Sequence, residues 1–200
     1  MRKSLLLCTA AAVLFSFSAQ ASEINPYASV KAVYSWENFK LTSEDSSAEL
    51  KLKTGGVNAA VGAEIGNVRA ELEYGFRPLK QKQLIEEDEV GYTKMGISTY
   101  MVNAYYDFRN SSIITPYVGI GVGLADIKLK FEDPADPDFN LSQSKTKFAY
   151  NVQAGFGIEV AKDVTIDIGY RYLEANSFKI GEGKIASHTD EVSIGIRYDF

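Results

Sequence analysis

His188 is the side chain in this sequence best suited to general acid–base chemistry, because it is the only histidine. Ser187 precedes it, and a hydroxyl nucleophile needs a base within hydrogen-bond reach. Neighbouring side chains in an extended segment point to opposite faces, so these two would diverge. His188 also falls at the end of a long polar segment, where a single histidine is usually solvated. We therefore predict that the protein is not an enzyme, and a lipid-modifying enzyme that depends on His188 is the alternative.

Two acidic groups could attract cations. The segment 132–138 contains four carboxylates, and 86–89 contains four more. Two prolines interrupt the first group, and the spacing of an EF-hand is absent from both. For the segment 132–138 there are two alternatives: a solvated loop that faces lipopolysaccharide, or a weak surface cation site. No glycine-rich phosphate loop precedes a helix, so we predict no metal site and no cofactor.

A larger set of ionisable residues alternates with apolar ones. Between Val68 and Arg77, apolar and aromatic side chains alternate with Arg69, Glu71 and Glu73, which is the period of a strand with two unlike faces. Such groups could form a proton or ion path or a paired, structural plug. The charged positions predicted to share the inner face are Lys31, Glu64, Arg69, Glu71, Glu73, Arg77, Asp107, Glu159, Asp167, Arg171, Arg197 and Asp199.

The elements that position these charges are eight strands. The same alternation covers 28–36, 57–65, 68–77, 100–108, 118–124, 150–160, 164–172 and 192–200. Most of these are near the roughly 9–11 residues that a tilted membrane-spanning strand needs. Short turns at 66–67, 109–112 and 161–163 alternate with long polar segments at 37–56, 79–96, 132–147 and 174–188. The pattern predicts an all-β fold: an eight-stranded antiparallel transmembrane β-barrel with three short periplasmic turns and four long extracellular loops.

The alternative is a soluble, lipocalin-like barrel with its apolar face inward. Aromatic residues oppose it, because they gather at the two ends of the apolar faces, as in lipid-facing girdles. Those at the long-loop ends are Tyr34, Trp36, Tyr74, Phe76, Tyr100, Tyr150, Tyr170 and Tyr172, and those at the short-turn ends are Tyr106, Phe108, Tyr198 and Phe200. Glycines on the polar face are typical of a crowded lumen: Gly119, Gly121, Gly123, Gly155, Gly157, Gly169 and Gly195.

The N-terminus has the order of a secretory signal peptide. A short basic start precedes an apolar run over 5–17 and the small-x-small sequence AQA at 19–21. We predict a signal peptide over 1–21, cleavage between Ala21 and Ser22, and a barrel domain over 22–200. Cys8, the only cysteine, would leave with the signal. A lipoprotein site at Cys8 is the alternative.

Several segments resemble the small outer-membrane barrels related to the opacity proteins and the OmpA-like barrel domain. They are 103–108 (NAYYDF), 116–123 (PYVGIGVG), 154–157 (AGFG), 167–172 (DIGYRY) and 192–200 (VSIGIRYDF). The resemblance covers nearly the whole chain after the signal. It implies location in the outer membrane of a Gram-negative bacterium, in contact with lipid and lipopolysaccharide.

The resemblance also implies a function without catalysis. We expect an adhesin or surface antigen of opacity-protein type that meets host surface receptors. A structural envelope protein and a narrow, low-conductance porin are the alternatives. The terminal strand would be read by the barrel-assembly machinery through Val192, Ile194, Ile196, Tyr198 and Phe200. A formal net charge of −5 gives no basic footprint for nucleic acid.

Overall fold

The computed structural model describes residues 24–43, 46–84, 90–132, 140–180 and 183–200. The strands are β1 (Ile24–Ser43), β2 (Ser46–Ile65), β3 (Val68–Leu84), β4 (Val90–Asp107), β5 (Ile114–Glu132), β6 (Asn140–Ala161), β7 (Val164–Ile180) and β8 (Gly183–Asp199). No helix in these ranges is long and apolar enough to span a membrane.

Each strand pairs antiparallel with its neighbours in sequence, and β8 pairs with β1 to close the sheet. The closing seam is in register through Ala28 and Tyr198, and the Phe200 amide donates to the Pro26 carbonyl at 2.9 Å. Closure leaves no strand edge, so the backbone groups of the barrel wall are satisfied within it. The predicted eight-stranded antiparallel barrel is therefore confirmed.

The three short connections have local causes. Gly66 has a φ of 59°, which glycine adopts without steric cost, and it lets Ile65 and Val68 pair directly across the turn. Asp163 turns the chain between β6 and β7 with a φ of 64°, a region that Asp tolerates better than most residues. Between β4 and β5, the Ser112 amide donates to Asn110 Oδ1 at 2.7 Å.

The strands are longer than predicted, and the predicted loop boundaries are wrong. They contain 17–22 residues each, and β1 and β2 stay paired as far as Ser43 and Ser46. The polar segments 37–56, 79–96, 132–147 and 174–188 thus consist largely of paired strand. Alternation of apolar residues ends where lipid contact ends, whereas polar strands can continue to pair in water. The predicted signal peptide, its cleavage site, Cys8 and the carboxylates at 86–89 and 133–138 lie outside the described residues.

The apolar face of the barrel points outward. Val30 is 58% exposed and Ile120 is 65% exposed, whereas the side chains of Arg69 and Glu71 on the opposite face are buried. A barrel with this arrangement presents its aliphatic band to lipid, so the lipocalin-like alternative is wrong. Both predicted girdles flank that band, with Tyr34 and Tyr100 exposed at one end and Tyr106 and Phe108 at the other.

Candidate functional site: the charged lumen

Alternate residues of all eight strands point into the lumen, which places charges from distant parts of the sequence side by side. Eight strands form a barrel just wide enough for its own side chains to fill. Ten of the twelve predicted inner-face residues are buried there: Lys31, Glu64, Arg69, Glu71, Glu73, Arg77, Asp107, Asp167, Arg171 and Arg197.

The extracellular half of the lumen is centred on Glu191. Arg77 Nε donates to Glu191 Oε2 at 2.9 Å, and Arg77 Nη2 donates to the same oxygen. From the other side, Arg171 Nε and Nη2 donate to Glu191 Oε1 at 3.0 and 2.5 Å. One buried carboxylate therefore lies between two guanidinium groups.

Arg171 extends this cluster across the lumen. Its Nη1 donates to Glu73 Oε1 at 2.5 Å. Lys31 Nζ then lies 3.8 Å from Glu73 Oε2 and 3.4 Å from Glu71 Oε1. Charges of opposite sign alternate from Arg77 through to Glu71, so each buried ion has a counter-ion, which is the condition under which buried charges persist.

Glu71 is the centre of the polar layer at mid-height. Tyr105 and Tyr27 donate from their hydroxyls to its carboxylate at 2.7 and 3.1 Å, and Asn103 Nδ2 donates to Oε1 at 3.2 Å. Asn151 Nδ2 donates in turn to Asn103 Oδ1 at 3.0 Å. These donors replace the water that Glu71 would have at the surface.

Arg69 forms a second, separate pair nearer the periplasmic end. Its Nε and Nη2 donate to the two oxygens of Asp107 at 2.7 and 2.8 Å, the bidentate geometry that suits a guanidinium group. Its guanidinium carbon also lies 4.6 Å from the ring centre of Tyr105 and 5.0 Å from that of Tyr117, within cation–π range. Arg69 is therefore fixed by charge and by stacking.

The lowest charged layer contains Arg197. Its Nη1 donates to Glu64 Oε2 at 3.4 Å, and its Nε lies 3.4 Å from Asp167 Oδ2. Arg109, from the turn after β4, also pairs with Glu64. The contacts of Arg197 are longer than those between Arg69 and Asp107, and the layer faces the periplasmic mouth.

Glycines on one wall make room for the bulky side chains of the other. A Cβ at Gly119 would lie 2.6 Å from the Tyr105 ring, and one at Gly155 would lie 2.6 Å from the Tyr117 hydroxyl. Nearer the extracellular end, an apolar cluster of Met101, Ala125, Ala149, Leu173 and Ala175 packs inside the lumen. Side chains therefore fill the middle of the barrel.

Two predicted members of the network lie elsewhere. Glu159 is exposed, and Asp199 is only partly buried. Both lie on the inner face but at the periplasmic mouth, where the barrel opens to solvent. They therefore lie outside the buried part of the network, because alternation gives the face of a strand but not the depth in the lumen.

Several inner residues were missed by the sequence analysis. The most consequential is Glu191, which directly precedes the predicted strand 192–200; extending the alternation by one residue would have placed it inside. Glu37 is also buried, and it accepts a hydrogen bond from the Thr189 hydroxyl. Tyr27, Tyr105 and Asn103 are uncharged, so they were not included in the predicted charge network. The alternation nevertheless placed Tyr105 and Asn103 on the inner face.

His188 belongs to β8, not to a loop as predicted. Its ring stacks on that of Tyr172, with centroids 5.6 Å apart, and its Nε2 lies 4.0 Å from Asp190 Oδ2. Asn38 is its partner on β1. His188 thus forms part of an aromatic and polar patch on the outer wall, just beyond the extracellular girdle.

The residues predicted as an assembly signal share the outer face of β8. Val192, Ile194, Ile196, Tyr198 and Phe200 are all exposed, with Phe200 at 74%. The rings of Tyr198 and Phe200 meet edge to face at 5.3 Å.

Among the described residues, no three His, Cys, Asp or Glu side chains are arranged to hold a metal ion.

Comparison with known proteins agrees with this architecture. The family model described as outer membrane protein beta-barrel domain matches residues 7–200. The outer membrane protein PagN of Salmonella typhimurium is 37% identical over 119 residues, which are 52% of this chain and 50% of PagN. Opacity protein opA65 of Neisseria gonorrhoeae is 28% identical over 188 residues, covering 70% of this chain and 76% of opA65. The match thus spans only half the length of PagN.

Among solved structures, that of Neisserial surface protein A (NspA) superposes with a TM-score of 0.59. It shares 23% sequence identity, and the match covers 88% of this chain and 97% of NspA. At this identity the likeness concerns the fold alone.

Proposed function

Because the chain belongs to the outer membrane protein β-barrel domain family and is an outer-membrane barrel of the opacity-protein type in a Gram-negative bacterium, we propose that it displays its extracellular strand pairs as an adhesin or surface antigen. Its ligands would be host surface receptors. The barrel would serve as the anchor, in contact with outer-membrane lipid and lipopolysaccharide.

The observation that carries this proposal is the length of the strands beyond the girdle. Above the pair formed by Trp36 and Lys53, β1 and β2 continue for seven more residue pairs, ending at Ser43 and Ser46. At about 3.3 Å per residue, this is about 23 Å of paired strand. The excess lies opposite the three short turns, on one side of the membrane, so the chain projects antiparallel ribbons from the cell surface.

The filled lumen supports an anchor over a transporter. A passage for solutes would have to cross the layer formed by Arg77, Glu191 and Arg171, in which each charge is paired. A plug of paired charges stabilises a narrow barrel but leaves no path for solutes. Display would then be the function of the barrel, with a structural envelope role as the alternative.

Adhesion of a non-adherent laboratory bacterium that expresses the protein tests the proposal. The ribbons can be shortened without a change of register, because the paired residues are known. Joining Asn38 to Lys51 and Lys80 to Lys94 by Asn-Gly turns keeps each pair in place. Lys128 to Ser144 and Ala175 to Ser187 can be joined in the same way. We expect the full-length protein to support binding to host cells and the shortened barrel to lose it.

The control has two parts. Different gel mobilities of boiled and unboiled samples show that both proteins are folded barrels, and labelling of intact cells shows that both are displayed on the surface. Equal binding by the shortened barrel would refute the adhesin proposal. Surface display without any binding would favour the structural envelope role.

The narrow-porin alternative rests on the ionisable lumen and is tested in planar bilayers. An ion path along the charges would change its conductance when Glu71 or Arg171 is replaced by alanine, since both lie in the middle of the lumen. We expect no steady conductance from the wild-type barrel, because its central charges are paired and packed. A stable wild-type conductance that either variant alters would support the porin.

A further inference from the structure

Four neighbouring strands place a cation, an anion and two aromatic residues in one row on the outer wall, at the extracellular girdle. Lys53 on β2 opposes Trp36 on β1, and Trp36 opposes Asp190 on β8. Asp190 in turn opposes Tyr172 on β7. Lys53 is exposed, and the other three are half-buried. Asp190 therefore lies between two aromatic residues, with Lys53 two strands away.

The carboxylate of Asp190 is held mainly by neutral donors. The Tyr170 hydroxyl donates to Oδ1 at 2.5 Å, and Asn38 Nδ2 donates to Oδ2 at 3.4 Å. The His188 ring lies 4.0 Å from Oδ2 and carries a charge only when it is protonated, and 32% of the Asp190 side chain is exposed. In the ranges that the structure describes, no lysine or arginine pairs with this carboxylate. Asp190 thus presents an accessible negative charge.

A second carboxylate lies one row farther from the membrane. Glu174 opposes His188 across β7 and β8, and it accepts a hydrogen bond from the Tyr172 hydroxyl at 3.3 Å. Its partner is therefore a neutral phenol, like the Tyr170 hydroxyl that binds Asp190. The wall formed by β7 and β8 offers two carboxylates beside the Tyr172 ring.

Asp126 shows how an outward carboxylate at this level can be balanced within the barrel. It lies on the outer face of β5, one outward position beyond the level of Tyr100. Its own cation, Lys128, is 3.6 Å away. Around Asp190 the described residues provide no such pair, and Lys53 forms no ion pair with any of them either. This part of the wall therefore has charges of both signs available for a ligand.

The level of the row in the membrane restricts the ligands that can meet it. Girdle aromatics lie at the headgroup level, so the row faces lipid headgroups. An ammonium group donates charge-assisted hydrogen bonds to carboxylates and is attracted to the faces of aromatic rings. Lysine binds phosphate as a point charge on a flexible stem. Two strand spacings put Lys53 and Asp190 about 10 Å apart in the backbone, a gap that the long lysine side chain shortens.

The acceptors determine the form of the ammonium group. A carboxylate needs an N–H donor, which a primary ammonium has and the quaternary ammonium of choline lacks. We propose that this row binds a lipid of the extracellular leaflet that has a phosphoethanolamine headgroup. Lys53 binds the phosphate, Asp190 binds the ammonium, and Trp36 lies between them. Glu174 is a further acceptor for the same ammonium. This lipid site is independent of the display function.

Quenching of Trp36 by brominated lipids tests the proposal, because the only tryptophan of the chain lies within the row. The folded barrel is reconstituted in phosphatidylcholine bilayers with equal fractions of phosphatidylethanolamine or phosphatidylcholine that have the same brominated chains. We expect phosphatidylethanolamine to be enriched about threefold at Trp36 of the wild type, the effect of one exposed charge pair. Asp190→Asn should abolish this enrichment. Asp126→Asn, the matched control, should retain it.

Brominated phosphatidylglycerol tests the two ends of the row separately, because it has the phosphate and lacks the ammonium. Lys53→Gln should lower its enrichment relative to phosphatidylcholine, whereas Asp190→Asn should raise it by removing a repulsive charge. Lys53→Gln should keep the preference for phosphatidylethanolamine over phosphatidylcholine, since both lipids have the phosphate. Different gel mobilities of boiled and unboiled samples show that each variant is folded.

Equal quenching of the wild type by the two zwitterionic lipids would overturn the proposal. The same loss of enrichment in Asp190→Asn and Asp126→Asn would also overturn it, because the effect would then depend on surface charge in general. Soluble phosphoethanolamine distinguishes a lipid from a free ligand. An excess should leave the quenching by brominated phosphatidylethanolamine unchanged, and a decrease would show that the row takes the free compound and that a lipid site is wrong.

Discussion

Arg171 and Glu191 occupy directly opposed positions on β7 and β8, and Arg171 Nε donates to Glu191 Oε1 at 3.0 Å. The pairing of neighbouring strands thus places these two charges side by side. Arg77 then reaches the same carboxylate from β3, 114 residues away in sequence. A local cross-strand pair and a long-range contact therefore share one acceptor, which couples opposite walls of the barrel.

Replacing Glu191 by glutamine should destabilise the barrel strongly. The change removes the negative charge between Arg77 and Arg171 and leaves one amide oxygen where two carboxylate oxygens accepted. A buried cation without its counter-ion costs about 3–5 kcal/mol. We expect the urea midpoint for unfolding from lipid bilayers to fall accordingly. Glu159→Gln is the matched control: Glu159 is exposed at the periplasmic mouth, and the same substitution there should change stability by less than about 0.5 kcal/mol. Equal midpoints for the two variants would contradict a stabilising role of the network.

Packing of the lumen is tested at Gly121. A Cβ at this position would collide with Asn103 Oδ1 and would lie 2.5 Å from Asn151 Nδ2. Gly121→Ala should therefore push the Asn103 amide away from Glu71 and the Asn151 amide away from Asn103. The cost should be about 1–3 kcal/mol, the usual effect of overpacking. Gly55→Ala is the control, because the nearest atom to its Cβ is the Val33 carbonyl oxygen at 3.9 Å. If both variants unfold at the wild-type urea concentration, the lumen has free space that the structure does not show.

Much of the architecture was predictable because each spanning strand has an apolar side that must meet lipid. That requirement fixed the number of strands, their direction and the side of the sheet that faces inward. It did not fix where the strands end. Beyond the girdle the outward residues become polar, as at Lys53 and Asp126, so the pattern on which the prediction rests disappears while the hydrogen-bonded pairing continues.

The partners within the lumen were not predictable from the same pattern. Alternation shows that Arg77 faces inward, but its contact with Glu191 depends on the tilt and stagger of strands that are not neighbours. The depth of a residue in the lumen was also not predictable. Glu159 and Asp167 alternate in the same way, yet Glu159 is exposed at the mouth and Asp167 is buried. Tyrosine and asparagine donors around Glu71 could be assigned roles only once the walls were brought together.

Trp36 can report the position of the extracellular girdle, since it is the only tryptophan in the chain. Its ring meets that of Tyr34 edge to face at 5.0 Å on the outer wall, and such rings lie at the headgroup level of a bilayer. We expect its fluorescence to be quenched more by lipids brominated near the headgroup than by lipids brominated near the chain end. Moving the reporter with Trp36→Phe and Val30→Trp should reverse this order, because Val30 is in the aliphatic band. Stronger quenching of Trp36 by lipids brominated near the chain end would contradict the predicted position of the girdle.

Phe200 is predicted to act in assembly in addition to its contact with lipid. Its amide closes the seam to Pro26, and its ring ends the outward row of β8, in which Tyr198 is the next aromatic. Phe108 provides the comparison, because it is an aromatic of the same periplasmic girdle, is 49% exposed and packs on Tyr106 in a similar edge-to-face pair. We expect Phe200→Ala to lower the amount of folded barrel in cells several-fold, measured as the heat-modifiable band, while Phe108→Ala lowers it only slightly.

Both purified variants should refold equally well into detergent, since each loses one exposed ring. If the two substitutions reduce assembly in cells to the same extent, Phe200 acts only as a girdle residue. If Phe200→Ala alone fails to refold in detergent, the defect lies in closing the seam and not in how the cell reads the terminal strand.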